Sequence, residues 1–444
     1  MTTFTFNNRV TQFTVANVPG IGYHQAWLVV GMVLVLYALG GHAVLHSVET
    51  DIDIEDALAI RSGGEPLRLL GYGLLAAIAL WGLRIKRWQG VRVHPRLGNC
   101  VLLTLCWMVL SVLWSNVTFL SLKTLVGALL LWVCSAGVGR QLGLKEIRVT
   151  GLIYAAGVTF LGVICELTLS TWHPFTVGYR FSGTKDPNAQ GLICALLATS
   201  LLNCSPSSRW LRSLKYLALL AAVLLLLLTQ SRGAVLALIV SAVAMGATTC
   251  ERPAKLALIC VVLLLCGVTV GVLLIDYGEI GNVLTAATLD RDTVGGDGFG
   301  GARLVLWKEC LVALSGRPFL GFGYGAFWEE QRMHEFSDTV GWTVTHAHSG
   351  YIETALGTGV VGLALFLTTL LTALTDYIRA FRSTRSFGDR YAVGVIVLLL
   401  TNMCFEGVSS TTSAVNIVAL CVITRLAFLR MKAGPRPLER SAAM

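Results

Sequence analysis

The sequence predicts an all-α polytopic membrane protein with about twelve transmembrane helices and one large outward loop. Of its 444 residues, 55% are hydrophobic and 13% are charged, whereas soluble domains carry about 25% charged residues. Apolar runs close to the ~20 residues needed to span a bilayer recur along the chain. One long polar segment, residues 276–349, interrupts them. Because backbone groups in lipid must be satisfied internally, the apolar runs are predicted to be helices.

The predicted helices divide one integrated domain into three consecutive parts. Residues 1–275 hold the first nine helices, residues 276–349 form the outward loop, and residues 350–444 hold the last three helices and a basic tail. Because the N-terminal segment is polar, no cleavable signal peptide is expected. The apolar runs lie near 27–45, 67–83, 99–115, 119–138, 149–170, 188–204, 216–231, 233–250, 256–275, 350–374, 391–405 and 414–429.

The distribution of lysine and arginine along the chain predicts how these helices are oriented. Basic residues concentrate in every second connection, for example 84–96, and in the C-terminal tail. The other connections are acidic or nearly neutral, for example 46–66. Since cytoplasmic loops carry the excess of Lys and Arg, we expect both termini in the cytoplasm and the 276–349 loop outside. The net charge of +9 then reflects topology, and no nucleic-acid partner is expected.

Arginines on the outward side oppose this charge bias and mark candidate binding positions. Arg180 and Lys185 precede Pro187–Asn188, which is expected to start the sixth helix and leave free N–H groups near an anion. Arg232 lies at the tip of the short turn TQSRG between two apolar runs. An arginine there is costly unless it faces a cavity or snorkels to the interface. Two simpler alternatives stay open: Arg180 pairs with a lipid headgroup, and Arg232 only snorkels.

The outward loop carries an arginine, a tryptophan and two histidines in two short motifs. Arg303 and Trp307 lie four residues apart in RLVLW, on one face of a predicted helix, and together suit a phosphate with an adjoining sugar. His346 and His348 lie in THAHSGYIE, and a histidine can accept a proton near neutral pH. Glu353 can orient His348, pair with an arginine or cap the tenth helix.

These residues also have simpler interpretations. Trp307 can anchor an interfacial helix while Arg303 is solvated, and His346 can be an ordinary surface residue. Two histidines two residues apart can bind a metal, but the sequence offers no obvious third ligand. Acids of the first outward loop, including Asp51 and Asp53, can hold a divalent ion but are expected to be solvated. We therefore expect no metal and no cofactor.

Glycines and charge balance bear on how the loop binds a ligand. GFGYG at 321–325 either exposes N–H groups to an oxyanion or simply turns the chain, and residues 290–301 are predicted to form a mobile lid. Trp328 and Trp342 either stack on sugar rings or lie at the membrane interface. Acids outnumber bases ten to five within 276–349, so any phosphate must be held by a few placed arginines.

The candidate residues are all predicted at the outer edge of the bilayer and none at its midplane. A transporter needs ionisable groups midway across the membrane. A site at the outer surface instead suits a lipid-linked substrate, whose tail stays in the membrane while its phosphates and sugars stand in water. This placement favours an enzyme over a transporter or a scaffold.

Several segments in a consistent order resemble the O-antigen ligase/polymerase superfamily, over approximately residues 100–425. The long outward loop between the ninth and tenth helices also fits, and the resemblance implies a fold like that of GT-C-type glycosyltransferases. The segments are W-S at 114–115, R-F-S-G-T-K-D-P-N at 180–188, S-R-G at 231–233, R-L-V-L-W at 303–307 followed by P-F-L-G-F-G-Y-G at 318–325, and H-S-G-Y-I-E-T-A-L-G-T-G at 348–359.

This resemblance implies a glycosyltransferase of the bacterial inner membrane with its active site on the periplasmic face. An O-antigen ligase transfers a glycan from its undecaprenyl-diphosphate-linked donor to a lipid A–core sugar, with inversion, without metal and among membrane lipids. The single dominant loop favours this reaction over the first alternative, an O-antigen polymerase that joins repeat units. An anion transporter of the same superfamily is the second alternative.

The resemblance also implies roles for individual residues. His348 matches the essential loop histidine of the superfamily and is expected to act on the acceptor hydroxyl. Arg303 matches the arginine ahead of the loop tryptophan, and Arg232 matches the arginine of the S-R-G segment; both are expected to be catalytic. Arg180 matches the arginine before the P-N pair and is expected to bind substrate. The other residues expected to bind substrate are Lys185, His346, Trp307 and Glu353.

Overall fold

The computed structural model describes residues 23–39, 66–85, 91–176, 178–249, 299–407 and 413–430, which are predominantly helical. A short antiparallel pair joins β1 (Val91–Val93) to β2 (Phe428–Arg430). The helices are α1 (Tyr23–Leu39), α2 (Pro66–Ile85), α3 (Leu97–Leu110, continued by a 3₁₀ turn at Ser111–Trp114), α4 (Thr118–Gln141), α5 (Leu144–Thr168), α6 (Pro187–Leu202), α7 (Arg209–Leu228), α8 (Arg232–Ala247), α9 (Phe299–Ser315), α10 (Glu330–Val340), α11 (Gly350–Thr384), α12 (Phe387–Asn402) and α13 (Ala414–Ala427).

The helices confirm a polytopic helical membrane protein. Within the described residues, five segments are long and apolar enough to cross a membrane, namely Leu97–Trp114, α4, α5, α7 and α11. Shorter apolar helices occur within α1 and α2 and in α6, α8 and α13. The number of twelve spans, the GT-C-type fold and the three-part division stay predictions. The predicted ninth span at 256–275, the 290–298 part of the predicted lid and the acids Asp51 and Asp53 lie outside the described residues.

α12 lies at the centre of the described helices. Its residues from Tyr391 to Thr401 are all buried, and it packs against α5, α6, α8, α11 and α13. A helix that is apolar on every face is expected in the core of such a bundle. By contrast, α7 leaves most of its leucines exposed, as a lipid-facing helix does. The end of α12 is therefore positioned by the surrounding bundle.

α11 is interrupted near its start by a segment of the loop. Gly359 has a φ of +70°, outside the helical region. Leu356 O and Val360 N, which pair in an unbroken helix, bond to the loop: Phe322 N–H donates to Leu356 O at 2.8 Å, and Val360 N–H donates to Pro318 O at 2.8 Å. Because these bonds satisfy the released backbone groups, the break is compatible with a membrane bundle.

The GFGYG motif forms a turn that packs into the bundle. Gly321, Gly323 and Gly325 all have positive φ, which glycine adopts without steric cost. A Cβ on Gly323 would lie 2.5 Å from the Cβ of Ser115, and one on Gly321 would lie 2.6 Å from the backbone N of Gly359. Of the two interpretations that the sequence leaves open, the structure shows the turn, and this turn presses the loop against α11.

Candidate active site

The candidate site lies where the end of α12 meets the start of α11. Gly350 N–H donates to Met403 O at 2.8 Å, and the Tyr351 hydroxyl donates to Leu400 O at 2.6 Å. These bonds fix the first turn of α11 against the last turn of α12. His348, two residues before α11, therefore lies beside the turn that follows Met403.

Glu406, in that turn, is the centre of a charged cluster with Arg303 and His348. Arg303 Nη2 lies 3.5 Å from Glu406 Oε1, and His348 Nδ1 lies 3.7 Å from Glu406 Oε2. Arg303 Nη1 also donates to Phe405 O at 2.9 Å. The three side chains are only 18–25% exposed, so their charges interact more strongly than they would in bulk water.

The ionisation of Glu406 follows from its neighbours. Burial acts to raise the pKa of its carboxyl group. The interaction with His348 and the positive charge of Arg303 outweigh burial, so the net pKa of Glu406 lies below its ordinary value. Glu406 is therefore a carboxylate at neutral pH and serves as the counter-ion of the cluster.

His348 is held in a backbone conformation that is rare for a residue with a side chain. Its φ is +47°, and such conformations persist where the surroundings impose them, often at active sites. The His348 ring centroid lies 3.9 Å from that of His346 and 5.2 Å from that of Trp342. Within the described chain, Trp342 Nε1 is buried without a hydrogen-bond partner, which leaves an N–H donor beside the histidines.

Trp307 and Glu353 support the histidine segment from within the loop. Trp307 is 8% exposed, and its Nε1 donates to Ala347 O at 2.8 Å. Glu353 Oε2 accepts from Trp328 Nε1 at 2.9 Å and from Ala347 N–H at 3.1 Å. Both side chains thus hold the residue between the two histidines, which differs from the substrate contacts predicted for them. Whether either also reaches a substrate stays a prediction.

Arg180 is held against the turn between α7 and α8. Its Nε donates to Thr229 O at 3.1 Å, and its Nη2 donates to Asn188 Oδ1 at 3.0 Å. Glu166, buried in the last turn of α5, shapes the segment that carries Arg180. One of its oxygens accepts the N–H groups of residues 182 and 183, both at 2.8 Å, and the other accepts the Tyr179 hydroxyl.

Arg232 is the first residue of α8, and its side chain is exposed. The next residue, Gly233, packs so closely against Phe405 that a Cβ on it would lie 2.8 Å from the Phe405 Cβ. The S-R-G segment therefore borders the turn that carries Glu406. Because Thr229, on the other side of this segment, accepts from Arg180, contacts link the three predicted arginines at one end of the bundle.

The start of α6 confirms one expectation and corrects another. Pro187 opens the helix as predicted, and Lys185 lies half-buried just before it. The N–H groups of Asn188 and Ala189, expected to be free for an anion, donate to the Asp186 side chain at 3.0 and 2.9 Å. The carboxylate of Asp186 thus caps the N-terminus of α6, where an anionic ligand was expected.

The fold brings a third possible metal ligand, Glu406, close to the two histidines. One ligand atom each from His346, His348 and Glu406 lie within 4.8 Å of one another. The two rings lie 3.9 Å apart by centroid and are tilted by 38°. One observation opposes a cation there: the positive charge of Arg303 lies 3.5 Å from the same carboxylate. Because Arg303 already balances the charge of Glu406, the arrangement of His346, His348 and Glu406 is less suited to a metal centre.

Glu406 is the residue that sequence reasoning missed. It follows the eleventh predicted span and is far from Arg303 and His348 in the chain. A signal did exist: the connection at 406–413 is predicted to face outward, and Glu406 is its acid. An acid at the surface where arginines oppose the charge bias is a candidate partner for them.

Comparison with known proteins bears on this geometry. Residues 217–367 match the family model described as O-antigen ligase. This stretch runs from α7 into α11 and includes Arg232, Arg303 and His348. The resemblance to the O-antigen ligase superfamily is confirmed. Because this superfamily consists of membrane ligases and polymerases resembling glycosyltransferases, an enzymatic role is supported.

A curated relative extends the similarity beyond that stretch. The chain is 28% identical over 291 residues to the exopolysaccharide production protein ExoQ of Rhizobium meliloti (strain 1021). The alignment covers 62% of this chain and 64% of ExoQ. The similarity to ExoQ thus reaches beyond the stretch that matches the family model, but the chain spans less than two thirds of that relative's length.

Proposed function

We propose that the protein is an O-antigen ligase of the bacterial inner membrane. It transfers a glycan from undecaprenyl diphosphate to a lipid A–core sugar at the periplasmic face, with both termini in the cytoplasm. The observation that carries this proposal is the cluster of His348, Arg303 and Glu406 at the meeting point of α11 and α12. Arg232 and Arg180 border the same end of the bundle.

The proposed reaction is a single displacement at the anomeric carbon of the donor's first sugar. The acceptor hydroxyl attacks this carbon, and His348 accepts the hydroxyl proton. The bond to undecaprenyl diphosphate breaks, and its electron pair leaves with the diphosphate. Arg303 and Arg232, with Arg180 beside them, stabilise the negative charge that develops there. Because one displacement occurs, the configuration inverts; the arginines supply the charge stabilisation that a metal ion would otherwise provide.

The remaining polar groups are assigned to positioning of the substrates. Lys185 lies half-buried before α6 and can attract the donor's anionic part. The Trp342 ring centroid lies 5.2 Å from that of His348, and the buried N–H of Trp342 can donate to a sugar hydroxyl. The His346 ring lies 3.9 Å from that of His348 by centroid, tilted by 38°, and restricts the movement of the His348 ring.

The location of the cluster argues against the transporter alternative. His348 precedes α11, Arg232 opens α8 and Glu406 follows α12. Ionisable groups at helix ends serve a surface reaction, whereas coupled transport places them near the bilayer centre. Measured solute flux in proteoliposomes, without any change in glycan, is the result that would favour transport.

A second candidate is a polymerase that joins glycan repeat units. The similarity to a protein named for exopolysaccharide production favours it. The geometry suits both reactions, because they share the donor and differ in the acceptor. Lipopolysaccharide and lipid-linked glycan from a strain lacking the gene separate them. Bare core with long lipid-linked chains indicates a ligase; core that carries one repeat indicates a polymerase.

Reconstitution tests the reaction itself. Purified protein in proteoliposomes receives an undecaprenyl-diphosphate-linked glycan and lipid A–core, and the product is separated on a gel. His348→Ala is expected to lose about 10²–10⁴-fold in turnover while still binding donor. His334→Ala, an exposed histidine on α10, is the matched control and is expected to retain activity. Transfer that collapses after chelation with EDTA and returns with a divalent cation contradicts the metal-independent scheme.

A further inference from the structure

The carboxylate of Glu406 has no assigned role in the reaction proposed above. It nevertheless lies beside Arg303 and His348, the two principal catalytic side chains of that reaction. One oxygen lies 3.5 Å from Arg303 Nη2 and the other lies 3.7 Å from His348 Nδ1. Arg303 is further tied to the Glu406 turn through Phe405 O at 2.9 Å. A carboxylate on the Nδ1 side of an imidazole is the arrangement that fixes the tautomer of a histidine base.

We propose that Glu406 is the positioning residue for His348 in glycan transfer, an inference that rests on the proposed function. A carboxylate that accepts from Nδ1–H leaves the lone pair on Nε2. Nε2 then takes the proton of the acceptor hydroxyl, and the resulting imidazolium is stabilised by the negative charge of Glu406. No proton passes to the carboxylate itself, and the ring returns its proton to solvent after transfer.

The distance between Glu406 and His348 indicates how binding of the donor can align the catalytic base. At 3.7 Å, His348 Nδ1 is too far from the carboxylate for a hydrogen bond, and Arg303 draws the carboxylate from the other side. A diphosphate that binds Arg303 replaces the carboxylate as its anionic partner. Glu406 is then free to close on Nδ1, so donor binding aligns the base. Catalytic hydrogen bonds that are long without substrate commonly shorten in this way.

The surroundings of Glu406 keep it competent for this role. Its pKa is held below the ordinary value by His348 and Arg303 in spite of burial. The charged or titratable groups that face it are Arg303 from α9 and the His346–His348 pair from the segment before α11. Because the turn follows α12, whose residues 391–401 are all buried, the carboxylate is attached to a rigid element.

Replacement of the charge at constant shape tests the inference. Glu406→Gln keeps the side-chain size and an acceptor oxygen for Arg303, but the amide no longer stabilises an imidazolium. We expect kcat to fall about 10²-fold while KM for the donor stays level or falls, since a competing anion on Arg303 is removed. Glu406→Asp is expected to recover part of kcat. Glu335→Gln, an exposed acid on α10, is the control and is expected to behave as wild type.

A double-mutant cycle separates positioning from independent effects. If Glu406 acts through His348, the double variant of His348→Ala and Glu406→Gln transfers glycan no more slowly than His348→Ala alone. Additive losses, or wild-type kcat in Glu406→Gln, overturn the inference, and a cooperative melting transition above the assay temperature for Glu406→Gln excludes misfolding as the cause. Wild-type protein that transfers no glycan refutes the proposed function instead, so the two failures are distinguishable.

Discussion

At the residue scale, Arg303 binds two acceptors of different kinds from one guanidinium. One nitrogen donates to Phe405 O at 2.9 Å and the other faces Glu406 at 3.5 Å. A planar fork can make both contacts, or grip a diphosphate in two places, whereas lysine offers a single compact charge. The shape of the cationic group, and not only its positive charge, is therefore expected to matter for diphosphate binding.

Arg303→Lys is accordingly expected to lower glycan transfer even though the net charge is unchanged. Removal of a single preorganised donor costs about 10²–10³-fold in turnover at comparable anion sites. Transfer rates with purified components at saturating acceptor measure the loss. Arg212→Lys, at an exposed position on α7, controls for the substitution type. Full activity in Arg303→Lys argues against bidentate diphosphate binding.

The lowered pKa of Glu406 also predicts how its contribution to stability depends on pH. A carboxyl whose folded-state pKa lies below the unfolded value stabilises the fold above the unfolded pKa. This contribution is lost as the pH falls through the folded pKa, here below the ordinary 4.5. The melting-temperature difference between wild type and Glu406→Gln is thus expected to be largest near neutral pH and to shrink in acid. A difference that is constant with pH contradicts the ion-pair assignment.

At the scale of elements, apolar runs predicted helices well because lipid leaves the backbone few alternatives. The run at 119–138 became α4 at Thr118–Gln141, and that at 99–115 became α3 with its 3₁₀ turn. The break at Gly359 was not predictable, because 350–374 reads as one apolar span. The break depends on partners in the 318–322 segment, and local propensity carries no information about such distant partners.

The break in α11 makes Gly359→Ala a test of how the loop is docked. Alanine at a φ of +70° is strained, and its Cβ would lie 2.0 Å from Phe319 O. We expect a loss of about 1–3 kcal/mol in stability from the conformation, with further loss from the clash, together with reduced transfer. Gly157→Ala, whose Cβ meets nothing within 4 Å, is the matched control. Equal melting temperatures for the two variants refute the docking role.

At the scale of the whole molecule, the candidate site was only partly predictable. Arg180, Arg232, Arg303 and His348 were identifiable one by one, since each opposes the outward charge bias or carries proton chemistry. Glu406 was not, because it meets Arg303 and His348 only where separate helix ends converge on the central α12. Composition and charge thus predict which surface reacts, and tertiary packing decides which groups act together.

The length of α11 and the basic residues at its end predict on which side of the membrane each of its ends lies. α11 has 35 residues and therefore runs roughly 50 Å at 1.5 Å per residue, more than the ~30 Å hydrocarbon core. Its start bears the histidine segment, and its end bears Arg382 and Arg385. The positive-inside rule then directs the start to the periplasm. The two exposed positions Gln331, on α10, and Arg385 should label from opposite sides.

We expect Gln331→Cys to react with a membrane-impermeant maleimide in intact spheroplasts and Arg385→Cys to react only after permeabilisation. The unsubstituted chain, which carries its own cysteines, provides the background. If the pattern is reversed, the arginine and histidine cluster faces the cytoplasm. A lipid-linked glycan displayed on the periplasmic face then cannot reach the cluster, and the ligase proposal fails even if the geometry of Glu406, Arg303 and His348 is correct. Orientation is thus the property of the whole fold on which the chemistry depends.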